Sequence, residues 1–111
     1  MKLKHRNTIQ RGFVRFIIFR EKDAWYGACL EFNIVESGDT PQEAMLLLNE
    51  AVEGYLESAR KIKARPHILN QQPDPEYTTM WNKLQEHKKI PSREIYAFGN
   101  LNLPIYTLTP R

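Results

Sequence analysis

Apolar residues recur every three or four positions between Ala44 and Ala59, which is the spacing of one face of an α-helix. Thr40 and Glu43 stand three residues apart just before this pattern and form the signature of a capping box. Lys61 closes the last turn, where a positive charge suits the helix dipole. The sequence therefore predicts a helix from Thr40 to Lys61 with one face in the core. Its apolar stripe consists of Ala44, Leu47, Leu48, Ala51, Val52, Tyr55, Leu56 and Ala59.

Three strands are predicted before this helix, at residues 13–20, 25–32 and 34–37, and the first two form an antiparallel hairpin. Residues 13–20 are apolar on both alternating faces, which is typical of a central strand covered on both sides. The long helix can cover only one of these faces. We expect a homodimer in which the second face or the sheet edge is paired between subunits. The alternative is a C-terminal helix that folds back onto this face within the monomer.

The C-terminal half follows a different pattern. Residues 63–75 contain three prolines and are interpreted as a loop. A shorter helix begins at Asp74, with an apolar stripe at Tyr77, Met80, Trp81 and Leu84. Two further strands are predicted at 94–98 and 103–109, separated at Gly99-Asn100, and Pro104 would place the second at a sheet edge. Residues 1–12 have no periodicity and are interpreted as an arm.

These elements indicate one α+β domain over residues 1–111. It has a small antiparallel sheet of the β-β-β-α-β type with one long helix on a face. The core spans about residues 11–62. Residues 63–111 form a C-terminal helix and strand extension that either packs on the same body or exchanges with another subunit.

Charge is distributed unevenly along the chain, although the net charge is only +3. Residues 1–20 contain six basic residues and no acid, whereas residues 21–57 contain nine acids and one lysine. No run approaches the roughly eighteen apolar residues of a membrane span, and the N-terminus lacks the apolar core of a signal peptide. We therefore expect a cytoplasmic protein. Cys29, the only cysteine, is interpreted as a buried hydrophobic residue.

The sequence offers little for catalysis. A two-metal nuclease site needs clustered carboxylates, and residues 13–19 contain no acid. Four acids lie close in sequence, but the helix cap accounts for two of them: Glu31, Glu36, Asp39 and Glu43. The histidines are isolated from one another: His5, His67 and His87. We expect no enzymatic activity, no metal and no cofactor.

Two sets of residues are candidates for binding a partner. Trp25 and Tyr26 should point to opposite faces of their strand, so that at least one is exposed unless both belong to the core. The outward face of the long helix carries Glu50, Glu53 and Glu57, which could oppose a basic partner or simply improve solubility.

Several short motifs resemble the HicB-like antitoxin family, in this order: Trp25-Tyr-Gly-Ala-Cys-Leu-Glu31, Gly38-Asp39-Thr40, Glu43-Ala44, Glu50-Ala51 and Tyr55-Leu56. The resemblance covers about residues 11–60. It implies a partial ribonuclease-H-like fold without nuclease activity and a HicA-like toxin as the partner. HicA toxins are small ribonucleases, and many members of the family also repress their own operon.

The sequence departs from the family in two places. Leu30-Glu31-Phe32-Asn33 replaces the usual Pro-Glu-Leu-Pro-Gly turn, and residues 63–111 contain no recognisable DNA-binding motif. The sequence therefore leaves open whether this chain represses its own operon. The alternative interpretation is a nucleic-acid-binding or regulatory protein that uses the basic arm and tail.

Overall fold

The computed structural model describes residues 6–103. The chain forms strands β1 (Gly12–Glu21), β2 (Ala24–Cys29) and β3 (Ile34–Gly38), then helix α1 (Pro41–Lys61). A short 3₁₀ helix (Pro66–Leu69), helix α2 (Pro75–Gln85) and strand β4 (Glu94–Leu103) follow. The fold is α+β, as predicted, with one four-stranded antiparallel sheet in the order β3-β2-β1-β4.

Strand β1 lies in the centre of the sheet, as its two apolar faces predicted. It pairs with β2 on one side and with β4 on the other. Val14 and Ile18 belong to the core on one face, and Ile17 and Phe19 to the core on the other. None of these four side chains is more than 2% exposed.

Helix α1 covers the face that contains Val14 and Ile18. Its cap forms as predicted, because the backbone N–H of Glu43 donates to the Thr40 hydroxyl at 3.0 Å. The Glu43 carboxylate reaches one residue further back than a standard capping box and accepts from the Asp39 N–H at 2.7 Å. The helix buries the following residues: Ala44, Leu48, Val52, Leu56 and Ala59.

Helix α2 covers the opposite face of the sheet. Met80 is 2% exposed and packs with Ile17, Phe19, Ala28 and Leu30. The second apolar face of β1 is therefore covered within the chain, which is the alternative that the sequence left open. Consequently, the apolar character of β1 gives no reason to expect a second subunit, and dimerisation stays a prediction that needs separate support.

Two predicted boundaries were wrong. Strand β4 runs without a break through Gly99 and Asn100, because both residues pair with β1, opposite Phe16 and Arg15, instead of forming a turn. A Cβ atom on Gly99 would make an ordinary van der Waals contact with the Phe16 ring, at 3.4 Å. Strand β2 ends at Cys29 instead of residue 32, because the chain turns there and Asn33 adopts a left-handed conformation (φ 52°).

The segment interpreted as an arm is attached to the body over its described part, since Asn7 is completely buried. Residues 63–75, interpreted as a loop, include the 3₁₀ helix. The predictions for His5, for Pro104 and for residues 104–109 of the last predicted strand (103–109) lie outside the described residues.

Candidate functional site

An open groove of about 600 Å³ runs along helix α1 beside the N-terminal segment. We call it the acidic groove. It brings together the three glutamates that the sequence singled out on the outward helix face. Its lining residues are Ile9, Glu50, Glu53, Gly54, Leu56, Glu57 and Arg60.

The three glutamates of the acidic groove differ in their pairing. The Glu57 carboxylate accepts two hydrogen bonds from Arg60, at 2.5 and 3.3 Å. This hydrogen bonding lowers the pKa of Glu57 below its ordinary value. Glu50 is exposed and Glu53 is half-buried, and neither forms an ion pair with any residue in the described part of the chain. Two negative charges are thus available to an external cation.

The base of the acidic groove is apolar. Leu56 is 7% exposed, and Ile9 packs against the same core cluster. Gly54 also lines the groove. A Cβ atom at this position would point into open space, with no heavy atom of another part of the chain within 4 Å. The combination of an apolar base and an acidic rim suits a protein segment that carries both aliphatic and basic side chains.

Asn7 lies two residues before Ile9 and anchors this segment to the body of the protein, although nothing in the sequence marked it. The Asn7 side-chain amide donates to the Leu69 carbonyl at 2.9 Å and accepts from the Phe13 N–H at 2.8 Å. Gly12 permits this arrangement, since a Cβ there would lie 2.1 Å from the Asn7 Oδ1 atom. A single buried asparagine has no periodic pattern around it, so the sequence held no signal for this contact.

Trp25 and Tyr26 point to opposite faces of β2, as predicted. Trp25 packs on the α1 side and meets the Tyr96 ring edge-on, with the ring centroids 6.1 Å apart. Tyr26 packs on the α2 side and stacks on Phe19 at 5.5 Å. Both are half-buried, and neither lines the acidic groove. The five candidate residues therefore occupy three separate places on the molecule.

The acids considered for a metal site have other roles. Glu31 accepts a hydrogen bond from the Arg15 N–H and another from its guanidinium, both at 2.7 Å. Glu43 belongs to the cap of α1. Within residues 6–103, no three His, Cys, Asp or Glu side chains are placed to hold a metal ion. Cys29 is buried, and this burial raises the pKa of its thiol to about 12.

The basic residues of the N-terminal segment are only partly available. Arg15 is paired with Glu31, and Arg20 lies 4.0 Å from Glu94. Arg6 and Arg11 are exposed. In the described part of the segment, these two exposed guanidinium groups form no ion pair. Two positive charges alone would bind a nucleic-acid backbone only weakly.

Comparisons of the chain with protein-family models, with curated proteins and with solved structures found no match. Among the helices that the structure describes, none combines the length and the apolar character needed to span a bilayer.

Proposed function

We propose that this chain is a non-catalytic, HicB-like antitoxin-type protein that binds and neutralises a small HicA-like ribonuclease in the cytoplasm. The acidic groove is the observation that supports this proposal best. It places Glu50, Glu53 and Glu57 around an apolar base on the outward side of α1. The residue motifs described above supply the class of partner.

The charge of the acidic groove suits such a partner. A ribonuclease must present a basic surface to bind the RNA phosphates, and the carboxylates of Glu50 and Glu53 form no ion pair with the residues that the structure describes, since Arg60 of the same groove pairs with Glu57. Opposite charges raise the association rate, and the apolar base adds contact area that excludes water. A toxin bound through its basic surface would lose access to RNA.

The test begins with affinity purification of the tagged chain from its native cells. The proposal expects a small basic protein, encoded beside this gene, to co-purify and to lose its ribonuclease activity when the chain is added. The alternative, a nucleic-acid-binding or regulatory protein that uses the basic N-terminal segment, expects nucleic acid that is lost at high salt. Recovery of nucleic acid without any protein partner would contradict the antitoxin proposal.

The acidic groove itself is tested with a charge-reversal pair. Glu50→Lys combined with Glu53→Lys should lower the association rate with the co-purified protein about tenfold at low salt. The difference should shrink at high salt, because exposed charges are screened over about 8–10 Å near physiological ionic strength. Asp23→Lys combined with Glu86→Lys changes the net charge equally on exposed residues outside the groove. Equal rates for the two double variants would exclude the acidic groove as the docking surface.

A further inference from the structure

Strand β4 is an edge strand of unusual composition. It is ten residues long and pairs with β1, and its other side pairs with no strand in the described part of the chain. Edge strands in natural proteins are commonly protected by lysine, by proline or by a short length. Residues 95–103 contain no charged residue and no proline, and Glu94 is the only charge in the strand. By contrast, the other edge strand, β3, has five residues and carries Glu36 near its middle.

Two large apolar side chains are exposed on β4, and they lie on opposite faces of the sheet. Tyr96 is 52% exposed, and its hydroxyl lies 3.3 Å from the Gln42 amide of α1. Phe98 is 42% exposed and meets the Trp81 ring of α2 edge-on at 5.9 Å. A helix docked on one face of the sheet would cover only one of them. A strand added along the edge places side chains on both faces and would cover both.

A β-bulge explains how these two residues come to lie on different faces although they are two positions apart. Ile18 pairs with Ala97 and Phe19 pairs with Ile95, so that Tyr96 is the extra residue. The bulge lies near the start of β4. Beyond it, from Ala97 to Leu103, the pairing with β1 is regular. This regular part offers a continuous edge for another strand.

We propose that β4 pairs antiparallel with β4 of a second copy of this chain, which joins the two sheets across a two-fold axis. Residues 95–103 carry no charge, so this edge does not attract a basic partner electrostatically. It is instead complementary to an uncharged strand. Its own copy is such a strand, and antiparallel self-pairing satisfies the backbone groups of both copies. In a fully overlapped pair the two Glu94 side chains lie at opposite ends, about 30 Å apart, and do not repel each other.

This dimer is independent of the proposed function. No residue of β4 lines the acidic groove, so that a β4 pair leaves the groove of each copy open. The apolar faces of β1 play no part in the argument either, because α1 and α2 already cover them.

The mass of the full-length chain in solution tests the proposal. Sedimentation equilibrium at micromolar concentration should give twice the 13.1 kDa of one chain. Asn100→Lys combined with Asn102→Lys places added positive charges along the edge, and we expect the dissociation constant of the dimer to rise by about tenfold or more. Asn82→Lys combined with Gln85→Lys adds the same charge on exposed positions of α2 and should leave the dimer intact.

Amide hydrogen exchange in the unmodified chain provides a second measurement that does not depend on the folding of a variant. Exchange of those residue 97–102 amides that point away from β1 should slow as the protein concentration rises through the dissociation constant of the dimer. A mass of 13.1 kDa at every concentration would overturn the proposal. So would open-ended polymers, which a β4 to β3 contact would produce, or equal weakening of the dimer by the two double variants.

Discussion

Asn7 and Asn70 exchange hydrogen bonds although they are 63 residues apart in the chain. The Asn7 N–H donates to the Asn70 side-chain oxygen at 2.6 Å, and the Asn70 side-chain amide donates to the Asn7 carbonyl at 3.0 Å. This pair fixes the segment before β1 to the end of the 3₁₀ helix. Ile9, which lines one wall of the acidic groove, follows two residues later in this anchored segment.

Asn7→Ala should therefore lower the free energy of unfolding by about 2–3 kcal/mol. The buried Leu69 carbonyl and the Phe13 N–H would each lose the Asn7 side chain as a partner, at a cost of about 1 kcal/mol or more per group. Urea denaturation measures the change. Gln10→Ala is the control, because Gln10 is exposed in the same segment and should change stability by less than about 0.5 kcal/mol. Equal effects of the two substitutions would show that the Asn7 contacts do not stabilise the fold.

The second prediction concerns the ion pair between Arg15 and Glu31. Both side chains are largely covered, with 26% and 13% of their surface exposed, so that Glu31→Gln should lower the free energy of unfolding by about 1–2 kcal/mol. Gln keeps an acceptor for the Arg15 N–H but loses the charge. Glu36→Gln is the matched control, since Glu36 has no ion pair among the described residues, and it should change stability less.

The same two variants test whether these acids serve catalysis. If the carboxylate of Glu31 is structural, then Mg²⁺ or Mn²⁺ should cause no RNA cleavage and only a nonspecific change in melting temperature. RNA hydrolysis is measured with purified chain in the presence of each metal. Metal-dependent cleavage that disappears in Glu31→Gln or Glu36→Gln would contradict the proposal that the protein is non-catalytic.

The parts of the fold that the sequence predicted are those set by neighbouring residues. The cap at Thr40 and the apolar stripe of α1 depend on contacts within a few positions, and both formed as predicted. The two apolar faces of β1 correctly indicated a central strand. Which element covers each face depends on how distant segments pack, so the role of α2 could not be derived from the pattern of β1.

The features that the sequence did not predict correctly also depend on contacts between distant segments of the chain. Gly99 resembles a turn residue in the sequence, although its pairing with Phe16 of β1 keeps it within an extended strand. The spacing of Glu50, Glu53 and Glu57 placed them on one helix face, which is correct. The groove between them and Ile9 involves the segment that Asn7 anchors, and no local rule locates a buried asparagine whose partners lie far along the chain.

The third prediction concerns Cys29 and pH. Burial raises the pKa of the thiol from 9.0 to about 12, so the folded state holds this proton more tightly than the unfolded state. The resulting stability is fully present below pH 9 and is lost as the pH rises towards 12. The upper limit of this loss of stability is about 4 kcal/mol.

Other groups titrate in this range, so the measurement is the difference in unfolding free energy between the wild type and Cys29→Ala at each pH. That difference should shrink with rising pH, and a constant difference would contradict the prediction.

The last prediction separates the stability of α1 from the use of the acidic groove. Gly54 lies inside the helix, where glycine costs about 1 kcal/mol relative to alanine, and a Cβ atom there meets no other group within 4 Å. Gly54→Ala should therefore raise the free energy of unfolding by about 0.5–1 kcal/mol. The added methyl group projects into the acidic groove, so the same substitution should weaken binding of the co-purified protein if that protein lies against the helix at this point.

Ser58→Ala is the matched control, because Ser58 is an exposed residue of α1 that does not line the groove. It should raise helix propensity modestly and leave binding unchanged. Thermal unfolding and the equilibrium dissociation constant of the complex are measured for both variants. If Gly54→Ala stabilises the chain and binds its partner as tightly as Ser58→Ala does, then the open space at Gly54 is not part of the docking surface. In that case the half-buried rings of Trp25 and Tyr26 become the better candidates for the contact, because they are the remaining residues that the sequence marked for binding.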